Sequence, residues 1–202
     1  MFINDISSAF SVPFLLYADD LVFYVSGSDI EAIVSKLNSE LDSLNNWCNS
    51  NGLKINSSKT KSMFFKKSND PTLPDDIPPI SLNGVEIEKV ESFKYLGILL
   101  DSHLNFKAHS QLVENRTSSA VARLLSCKRM LPFNTFRVAF FAYVMSITDF
   151  CLPVWGISNN SMMKIQRHID RLLFTYFFPT LSKKDKKNSK NFTQCIMGKD
   201  KH

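Results

Sequence analysis

The chain has 202 residues, of which 44% are hydrophobic and 12% aromatic, so it can bury a core and is not a disordered protein. Its formal net charge of +5 is divided unevenly along the chain. Residues 1–101 hold 8 basic and 14 acidic groups, residues 102–181 hold 9 and 3, and residues 182–202 hold seven lysines and two aspartates. This division suits a protein that holds metal cations with its first part and a polyanion with the rest, although ordinary solvated faces can produce it too.

The sequence argues against secretion and against a membrane span. Residues 1–5 lack the basic segment and the long apolar run of a signal peptide. The longest mainly apolar stretch, residues 138–147, is well short of the roughly 18 to 20 residues that a membrane helix needs. The four cysteines are far apart and form no CxxC pair: Cys48, Cys127, Cys151 and Cys195. We therefore expect a cytoplasmic or nuclear protein with no membrane contact and with free thiols, not a zinc site or a disulfide framework.

The first predicted element is a β-hairpin. Residues 14–17 and 21–25 are short runs of apolar, β-branched and aromatic residues, which predict two strands joined through Ala18, Asp19 and Asp20. Aspartate favours turns because its side chain bonds the local backbone, so the acidic pair has a plain structural explanation. Their mutual repulsion gains nothing for the fold, however, and this makes them candidate functional residues.

An amphipathic helix and a loop follow. Ser28 with Glu31 predicts a capping box at the start of the helix, and Asn51–Gly52 predicts a left-handed stop at its end. Residues 61–65 predict a short strand, and residues 66–79, with four prolines and five charged residues, predict a surface loop. The helix is expected to pack on the hairpin through the apolar residues that recur along one face: Ile30, Ile33, Val34, Leu37, Leu41, Leu44, Trp47 and Cys48.

Further strands are predicted before residue 101. Residues 80–82 and 85–87 flank Asn83–Gly84, which is a strong hairpin signal. Residues 93–100 are nearly all apolar around Gly97 and predict one more strand, buried on both faces. With the preceding helix, these strands predict a first part made of antiparallel hairpins packed on an amphipathic helix.

Beyond about residue 106 the apolar period is helical. The predicted helices, which prolines punctuate, are 112–130, 136–147 and 162–177. Basic residues lie in or beside them: Arg116, Arg123, Lys128, Arg129, Arg137, Lys164, Arg167 and Arg171. The last 21 residues are rich in lysine and predicted to be disordered. We therefore predict an α+β fold, with domains at residues 1–101, residues 102–181 (all helical) and residues 182–202 (a basic tail).

Tyr17-Ala18-Asp19-Asp20 between two apolar strands resembles the catalytic hairpin in the palm domain of reverse transcriptases, which are RNA-directed DNA polymerases. The segment NWCNSNGLKINSSKTKSMFF, residues 46–65, is similar to a palm segment of that family. In that segment a helix ends at Gly-Leu-x-Ile/Leu-Asn, and the chain continues into x-x-Lys-Thr. FKYLGILLD, residues 93–101, is similar to the primer-grip strand pair of the same enzymes.

Two more segments resemble the enzymes of non-LTR retrotransposons in particular. FINDI, residues 2–6, is similar to the short helix before their catalytic hairpin, and residues 102–181, with Pro-Val-Trp-Gly at 153–156, are similar to their thumb and connection. The resemblance covers roughly residues 2–177 and implies a partial polymerase palm followed by a helical thumb. Each motif is weak alone, and the hairpin together with KYLG is specific.

The resemblance implies roles for individual residues. Asp19 would be a metal ligand for Mg²⁺ with Asp20 as its partner, and Lys59 would contact the incoming triphosphate; we take all three as catalytic. The other site residues are a primer grip and a set of arginines that would bind nucleic acid: Tyr95, Leu96 and Gly97, then Arg116, Arg123 and Arg129. The implied partners of the intact enzyme are an RNA template, a DNA primer and a deoxynucleoside triphosphate.

The resemblance also implies missing parts. The family's metal site uses a carboxylate on an earlier palm strand, and residues 1–13 offer no counterpart to it or to the fingers. We expect a transposable-element fragment that is inactive alone, because metal positioning supplies much of the rate of a nucleotidyltransferase. Whether the chain by itself is an enzyme stays open.

Two alternatives to a polymerase fragment remain. The first is a non-catalytic nucleic-acid-binding module that uses the arginines and the lysine tail on phosphates. The second is a helical interaction domain, with self-association through the bare edge of the truncated palm sheet. Its aromatic cluster would meet a partner: Phe136, Phe140, Phe141, Tyr143, Phe150 and Trp155.

Overall fold

A computed structural model describes residues 4–66, 77–156 and 159–177. The fold is α+β, with helices and small antiparallel strand pairs, as the sequence predicts. The chain divides into two compact units, residues 1–93 and residues 94–202. Most of the predicted loop at 66–79 and all of the predicted tail at 182–202 lie outside the described residues. Of the helices in the described ranges, none combines the length and the apolar character that crossing a membrane requires.

The first unit begins with a 3-10 helix and a hairpin. The 3-10 helix, Asn4–Ala9, stands where the short helix was expected. Strands β1 (Phe14–Tyr17) and β2 (Asp20–Phe23) are antiparallel, with Tyr17 paired to Asp20 across the turn. The first predicted strand is confirmed, whereas the second begins one residue earlier than predicted. Ala18 has a φ of +52°, so Ala18 and Asp19 alone close the turn and Asp20 joins the ladder.

Helix α1, Ile30–Ser50, is the predicted amphipathic helix. The predicted capping box of Ser28 and Glu31 is wrong, because the carboxylate of Asp29, directly before the first helical residue, accepts hydrogen bonds from the N–H groups of Glu31 (3.0 Å) and Ala32 (3.4 Å). The predicted stop is confirmed, since Gly52 has a φ of +67° just beyond the helix.

Both sides of α1 bury apolar side chains within the first unit. One cluster joins Leu44 and Cys48 to Ile6 and to the inner face of the hairpin, so the predicted packing of helix on hairpin is confirmed. The other joins Val34 and Leu41 of α1 to further residues: Ile80, Leu82 and Ile87. The first cluster packs the inner face of the β1–β2 hairpin on α1, and the second packs the other side of the helix on the residues around β3.

A second hairpin closes this unit. Strands β3 (Ser81–Leu82) and β4 (Val85–Glu86) flank Asn83 and Gly84, both with positive φ, so this prediction is confirmed. The predicted strand at 61–65 is wrong: only Ser62 forms a bridge, to Lys89. The segment finds a partner at that one position, and one bridge is too little to form a ladder.

The third hairpin spans the boundary and belongs mainly to the second unit. Strands β5 (Ser92–Tyr95) and β6 (Ile98–Asp101) pair across a turn at Leu96 (φ +45°) and Gly97 (φ +91°). The single strand predicted from apolar composition at 93–100 is therefore wrong, because the left-handed backbone at these two residues reverses the chain. Burial on both faces is also wrong, since Phe93 and Leu96 are exposed. The strand pair that the resemblance implies at 93–101 is confirmed.

The rest of the described second unit is helical. The elements are α2 (Lys107–Ser126), α3 (Phe133–Phe140), a π-helical turn (Phe141–Met145), α4 (Ser146–Asp149), α5 (Leu152–Trp155) and α6 (Asn159–Phe177). All three predicted helices are present, and each begins a few residues earlier than predicted. The first ends at Ser126 and not at residue 130, because residues 127–130 form a turn. Helices α2 and α6 pack along each other around one core, with Val144 and Leu172 fully buried.

Packing in the second unit buries some members of the predicted aromatic cluster and leaves others at the surface. Phe136, Phe140 and Trp155 are buried in the core, whereas the other three aromatic residues, Phe141, Tyr143 and Phe150, are exposed. The predicted cluster therefore does not form one outer surface, because helical periodicity turns alternate members inward.

Cys48, Cys127 and Cys151 are free thiols, as predicted, and Cys195 lies outside the described residues.

Candidate functional site

The tip of the β1–β2 hairpin presents Asp19 and Asp20 outward. Successive strand residues point to opposite faces, and the inner face of this hairpin packs on α1. The outer face carries Leu15, Tyr17 and Asp20, and here Leu15 is 56% and Tyr17 65% exposed. Asp20 stands opposite Tyr17 on this open face, and Asp19 lies in the turn itself. The hairpin is therefore packed on α1 through one face, and the carboxylates of Asp19 and Asp20 remain exposed to solvent.

The acidic pair has no nearby counter-charge within the described residues. Neither Asp19 nor Asp20 forms an ion pair with any residue of the ranges that the structure covers. Two adjacent carboxylates repel each other, and a divalent cation with a preference for hard oxygen ligands relieves that repulsion. Both side chains therefore offer the type of oxygen ligand that such a cation prefers. Among the described residues, however, no group of three or more His, Cys, Asp or Glu could hold a metal ion.

Lys59 lies in a turn that Asn56 organises. The Asn56 side-chain oxygen accepts hydrogen bonds from the Ser58 hydroxyl (2.7 Å) and the Lys59 N–H (3.3 Å), and its backbone carbonyl accepts from Thr60. The Lys59 side chain is exposed, and no ion pair joins it to Asp19 or Asp20. The structure therefore keeps Lys59 accessible on an ordered turn, without bringing it into contact with the acidic pair.

A surface pocket of about 320 Å³ lies at the C-terminal end of α1. Its polar lining includes Asn45, Asn49, Lys54 and Asn83. None of the predicted catalytic residues lines it, so the pocket and the acidic pair are different features of the first unit.

In the second unit, the predicted primer-grip residues lie at the tip of the β5–β6 hairpin: Tyr95 ends β5, and Leu96 and Gly97 form the turn. Tyr95 is half-buried, and Leu96 is 41% exposed. Position 97 needs glycine for two reasons. Its φ of +91° is one that other residues rarely adopt, and a Cβ added there would lie 3.0 Å from Cε1 of Phe150. Within the second unit, the close approach at Gly97 is therefore to an aromatic ring.

The predicted nucleic-acid-binding arginines are all exposed on or after α2. Arg116 and Arg123 are seven residues apart, which places them on one face of the helix, and Arg129 follows in the turn after it. Arg123 donates a hydrogen bond to the Ser119 carbonyl of its own helix. Their guanidinium groups are thus available to solvent, and their role in binding stays a prediction.

Sequence reasoning missed two acidic residues that shape the surroundings of these sites. The Asp101 carboxylate accepts hydrogen bonds from three backbone N–H groups, those of His103 (3.1 Å), Asn105 (3.1 Å) and Phe106 (2.8 Å). Glu40 is buried on the apolar side of α1. The signals were present: an aspartate directly after a strand, and an acid at an inward position of an amphipathic helix.

Comparisons with known proteins agree with the motifs. Residues 1–100 match the reverse transcriptase (RNA-dependent DNA polymerase) family. The chain is 30% identical over 148 residues to a probable RNA-directed DNA polymerase from transposon BS of Drosophila melanogaster, which covers 72% of this chain and 16% of that protein. It is 32% identical over 108 residues to the RNA-directed DNA polymerase from mobile element jockey of the same species, covering 54% of this chain and 11% of that protein.

A third relative is a probable RNA-directed DNA polymerase from transposon X-element of Drosophila melanogaster, 27% identical over 135 residues, or 63% of this chain and 14% of that protein. The chain thus spans less than a fifth of the length of these relatives. No solved structure matches the chain. Through residues 1–100 the chain belongs to the reverse transcriptase family, and it is of the non-LTR retrotransposon type.

Proposed function

We propose that this chain supplies the catalytic hairpin and the following helical part of an RNA-directed DNA polymerase. The reaction is RNA-templated DNA synthesis, with an RNA template, a DNA primer and a deoxynucleoside triphosphate as partners, in the cytoplasm or the nucleus. The observation that carries the proposal is the exposed pair Asp19 and Asp20 at the tip of a hairpin whose other face is packed on α1.

In this proposal residues 1–101 are part of the palm and residues 102–181 are thumb and connection. Asp19 and Asp20 would hold Mg²⁺, which would supply the stabilisation of negative charge on the phosphates that two-metal nucleotidyl transfer needs. In the same proposal, Lys59 donates hydrogen bonds to the triphosphate and gives a proton to the leaving pyrophosphate. The turn at Tyr95, Leu96 and Gly97 contacts the primer.

Manganese binding tests the metal assignment on the chain as it stands. Paramagnetic Mn²⁺, titrated into the labelled protein, is expected to broaden the amide signals around Asp19 and Asp20 first. The double variant Asp19→Asn with Asp20→Asn should lose this effect. Asp42→Asn, which removes one exposed carboxylate from α1, is the control and should keep it. Equal broadening in the double variant would show that the hairpin is not the metal site.

Primer extension tests the reaction. With RNA template, DNA primer, nucleotides and Mg²⁺, we expect no extension by this chain alone, because the hairpin supplies only two of the carboxylates that a two-metal site needs. Extension by the chain would overturn that expectation. If Asp19→Ala then extended the primer equally well, the assignment of Asp19 would also be wrong.

A second candidate function is nucleic-acid binding without catalysis. The excess of 9 basic over 3 acidic groups in residues 102–181, with Arg116, Arg123 and Arg129 exposed, favours it. It predicts an affinity that falls steeply with salt and is indifferent to Mg²⁺ and to Asp19. Fluorescence anisotropy with a labelled RNA–DNA duplex decides: an affinity that is the same at low and high salt excludes this candidate.

A further inference from the structure

We propose that His109, Phe150 and Trp155 are positioning residues that hold the β5–β6 turn in the conformation that contacts the primer. We call these three residues and the β5–β6 hairpin the clamp. The inference rests on the proposed function of the turn. It assigns a role to the Trp155 of the Pro-Val-Trp-Gly segment, which the function proposed above leaves unused.

The first contact of the clamp is between Gly97 and Phe150. The Phe150 ring lies against the backbone of the turn so closely that a Cβ on Gly97 would be 3.0 and 3.1 Å from its Cε1 and Cζ atoms. Phe150 stands in the break between α4 and α5, next to Cys151, which has a φ of +50°. Its ring is 50% exposed, so it lies over the turn at the surface and is not part of the core.

The second contact fixes Phe150 from inside. Trp155 is 1% exposed, and its indole N–H donates a hydrogen bond of 2.7 Å to the Phe150 carbonyl. Because the indole is held in the core, this bond fixes the backbone of the break, and with it the position from which the Phe150 ring reaches Gly97.

The third contact returns to the hairpin. His109 of α2 is 3% exposed, and its ring meets the Trp155 ring edge-on, with 5.5 Å between the ring centroids and an angle of 69°. Its Nδ1 accepts a hydrogen bond of 3.2 Å from the Leu99 N–H of β6. The hairpin is therefore held at its turn by Phe150 and on its second strand by His109, and Trp155 joins the two.

The chemistry of His109 favours a positioning role over simple filling of the core. Its Nε2 has no hydrogen-bond partner among the described residues, so an apolar residue would fill the site at a lower desolvation cost. What an apolar residue lacks is the acceptor for the Leu99 N–H. Burial and the nearby Arg116 charge lower the pKa of His109, which keeps the ring neutral and Nδ1 free to accept.

Hydrogen exchange tests the clamp directly. His109→Leu should speed exchange of the Leu99 amide about tenfold, with exchange in α6 unchanged, because the N–H loses its acceptor. His109→Asn places an oxygen near the position of Nδ1 and should restore protection. Phe150→Leu should speed hydrogen exchange of the Leu96 and Gly97 amides. The control is Phe141→Leu, which alters an aromatic residue of similar exposure (45% against 50%) and should leave exchange of these amides unchanged. Trp155→Phe, which removes the indole N–H together with part of the buried ring system, should act like Phe150→Leu on these amides.

Binding of an RNA–DNA primer-template then separates this inference from the function on which it rests. Leu96→Ala alters the tip itself, and we expect it and His109→Leu to weaken binding, with His109→Asn restoring it. If Leu96→Ala leaves binding unchanged, the primer-grip function of the turn is wrong. If Leu96→Ala weakens binding but His109→Leu does not, or if Leu99 exchange is the same in every variant, the clamp is overturned.

Discussion

At the residue scale, Asp101 organises the loop between β6 and α2. Its carboxylate gathers three backbone N–H groups, and the same loop contains Leu104 and Phe106 in left-handed conformation, with φ of +51° and +53°. A non-glycine residue held there costs conformational energy, which the hydrogen bonds to Asp101 offset. The buried Phe106 that begins α2 is placed by this loop.

We therefore expect Asp101→Ala to lower the free energy of unfolding by about 2 kcal/mol or more, since several N–H groups lose a charged acceptor. Asp101→Asn keeps one acceptor oxygen and should have an intermediate effect. Urea unfolding measures both variants. An unchanged midpoint for Asp101→Ala would show that the loop does not depend on this carboxylate.

Glu40 makes the first unit sensitive to acid. Its buried carboxylate accepts hydrogen bonds from the hydroxyl and the backbone N–H (3.0 Å) of Ser11 and pairs with Lys36 at 2.9 Å. Burial alone would raise the pKa of Glu40, but the bonds from Ser11 and Lys36 outweigh burial and lower it. The unfolded chain therefore takes up the proton at a higher pH than the folded chain does.

This difference gives a prediction with a definite sign. The stability that Glu40 contributes is fully present above the ordinary glutamate pKa of about 4.3 and is lost as pH falls through the lowered value. Unfolding by urea from about pH 3 to about pH 7 should show a steeper acid decline for the native chain than for Glu40→Gln. Parallel curves for the two proteins would contradict the prediction.

At the element scale, the hairpin turns use glycine for different reasons. Gly84 of the β3–β4 turn has a φ of +75° and open space around it, whereas Gly97 of the β5–β6 turn has a φ of +91° and the Phe150 ring against it. Alanine at Gly84 meets only backbone strain, and alanine at Gly97 meets strain and a steric clash.

We expect Gly84→Ala to cost about 1 kcal/mol and Gly97→Ala clearly more. Adding Phe150→Leu to Gly97→Ala should recover part of the loss, because a smaller side chain can give way. Thermal unfolding of the three variants measures this order. Equal destabilisation by the two single substitutions would mean that Phe150 does not restrict the turn.

The helix that begins at Phe133 contains a π-helical turn. It continues from α3 through the π-helical turn Phe141–Met145 to α4, and the π-helical turn adds a residue to one turn of the helix. The predicted helix at 136–147 is right in kind, but apolar spacing has no signature that separates this wider turn from an ordinary one.

At the scale of the whole molecule, the exposed face of the β1–β2 hairpin bears on how copies of the chain associate. Within the described residues this sheet has two strands, so the outer edge of each strand has no partner strand, and Leu15 and Tyr17 are exposed beside it. Open edges with apolar side chains favour pairing with another chain.

We expect concentration-dependent self-association of the purified chain, measured by light scattering, and a clear reduction when Leu15→Lys and Tyr17→Lys are combined. Val138→Lys with Tyr143→Lys changes two exposed apolar residues on the helical unit and serves as the control. A monomer at high concentration would count against this expectation.

Charge at this scale separates the first part of the chain from the rest. Residues 1–101 carry 8 basic and 14 acidic groups and residues 102–181 carry 9 and 3, as the sequence alone shows. The fold adds that the carboxylates of Asp19 and Asp20 are accessible at a turn while Glu40 is buried and paired. Composition therefore states how much charge is present, and structure states which charges are available to a ligand.

The sequence by itself determined the features that depend on neighbours along the chain. The extent of α1, its stop at Gly52, the turns at Asp19 and Asn83, and the long helices all follow from periodicity and local turn chemistry. The family was also readable at this level, because its motifs are short runs such as Tyr17–Asp20.

Only the tertiary structure decided the features that join residues far apart in the chain. It set Phe150 against Gly97 and directed His109 to the Leu99 N–H. Apolar composition in the segment from 93 to 100 does not indicate that a ring at position 150 and an imidazole at position 109 pack against it. Such contacts depend on how elements meet in space, which local spacing does not encode.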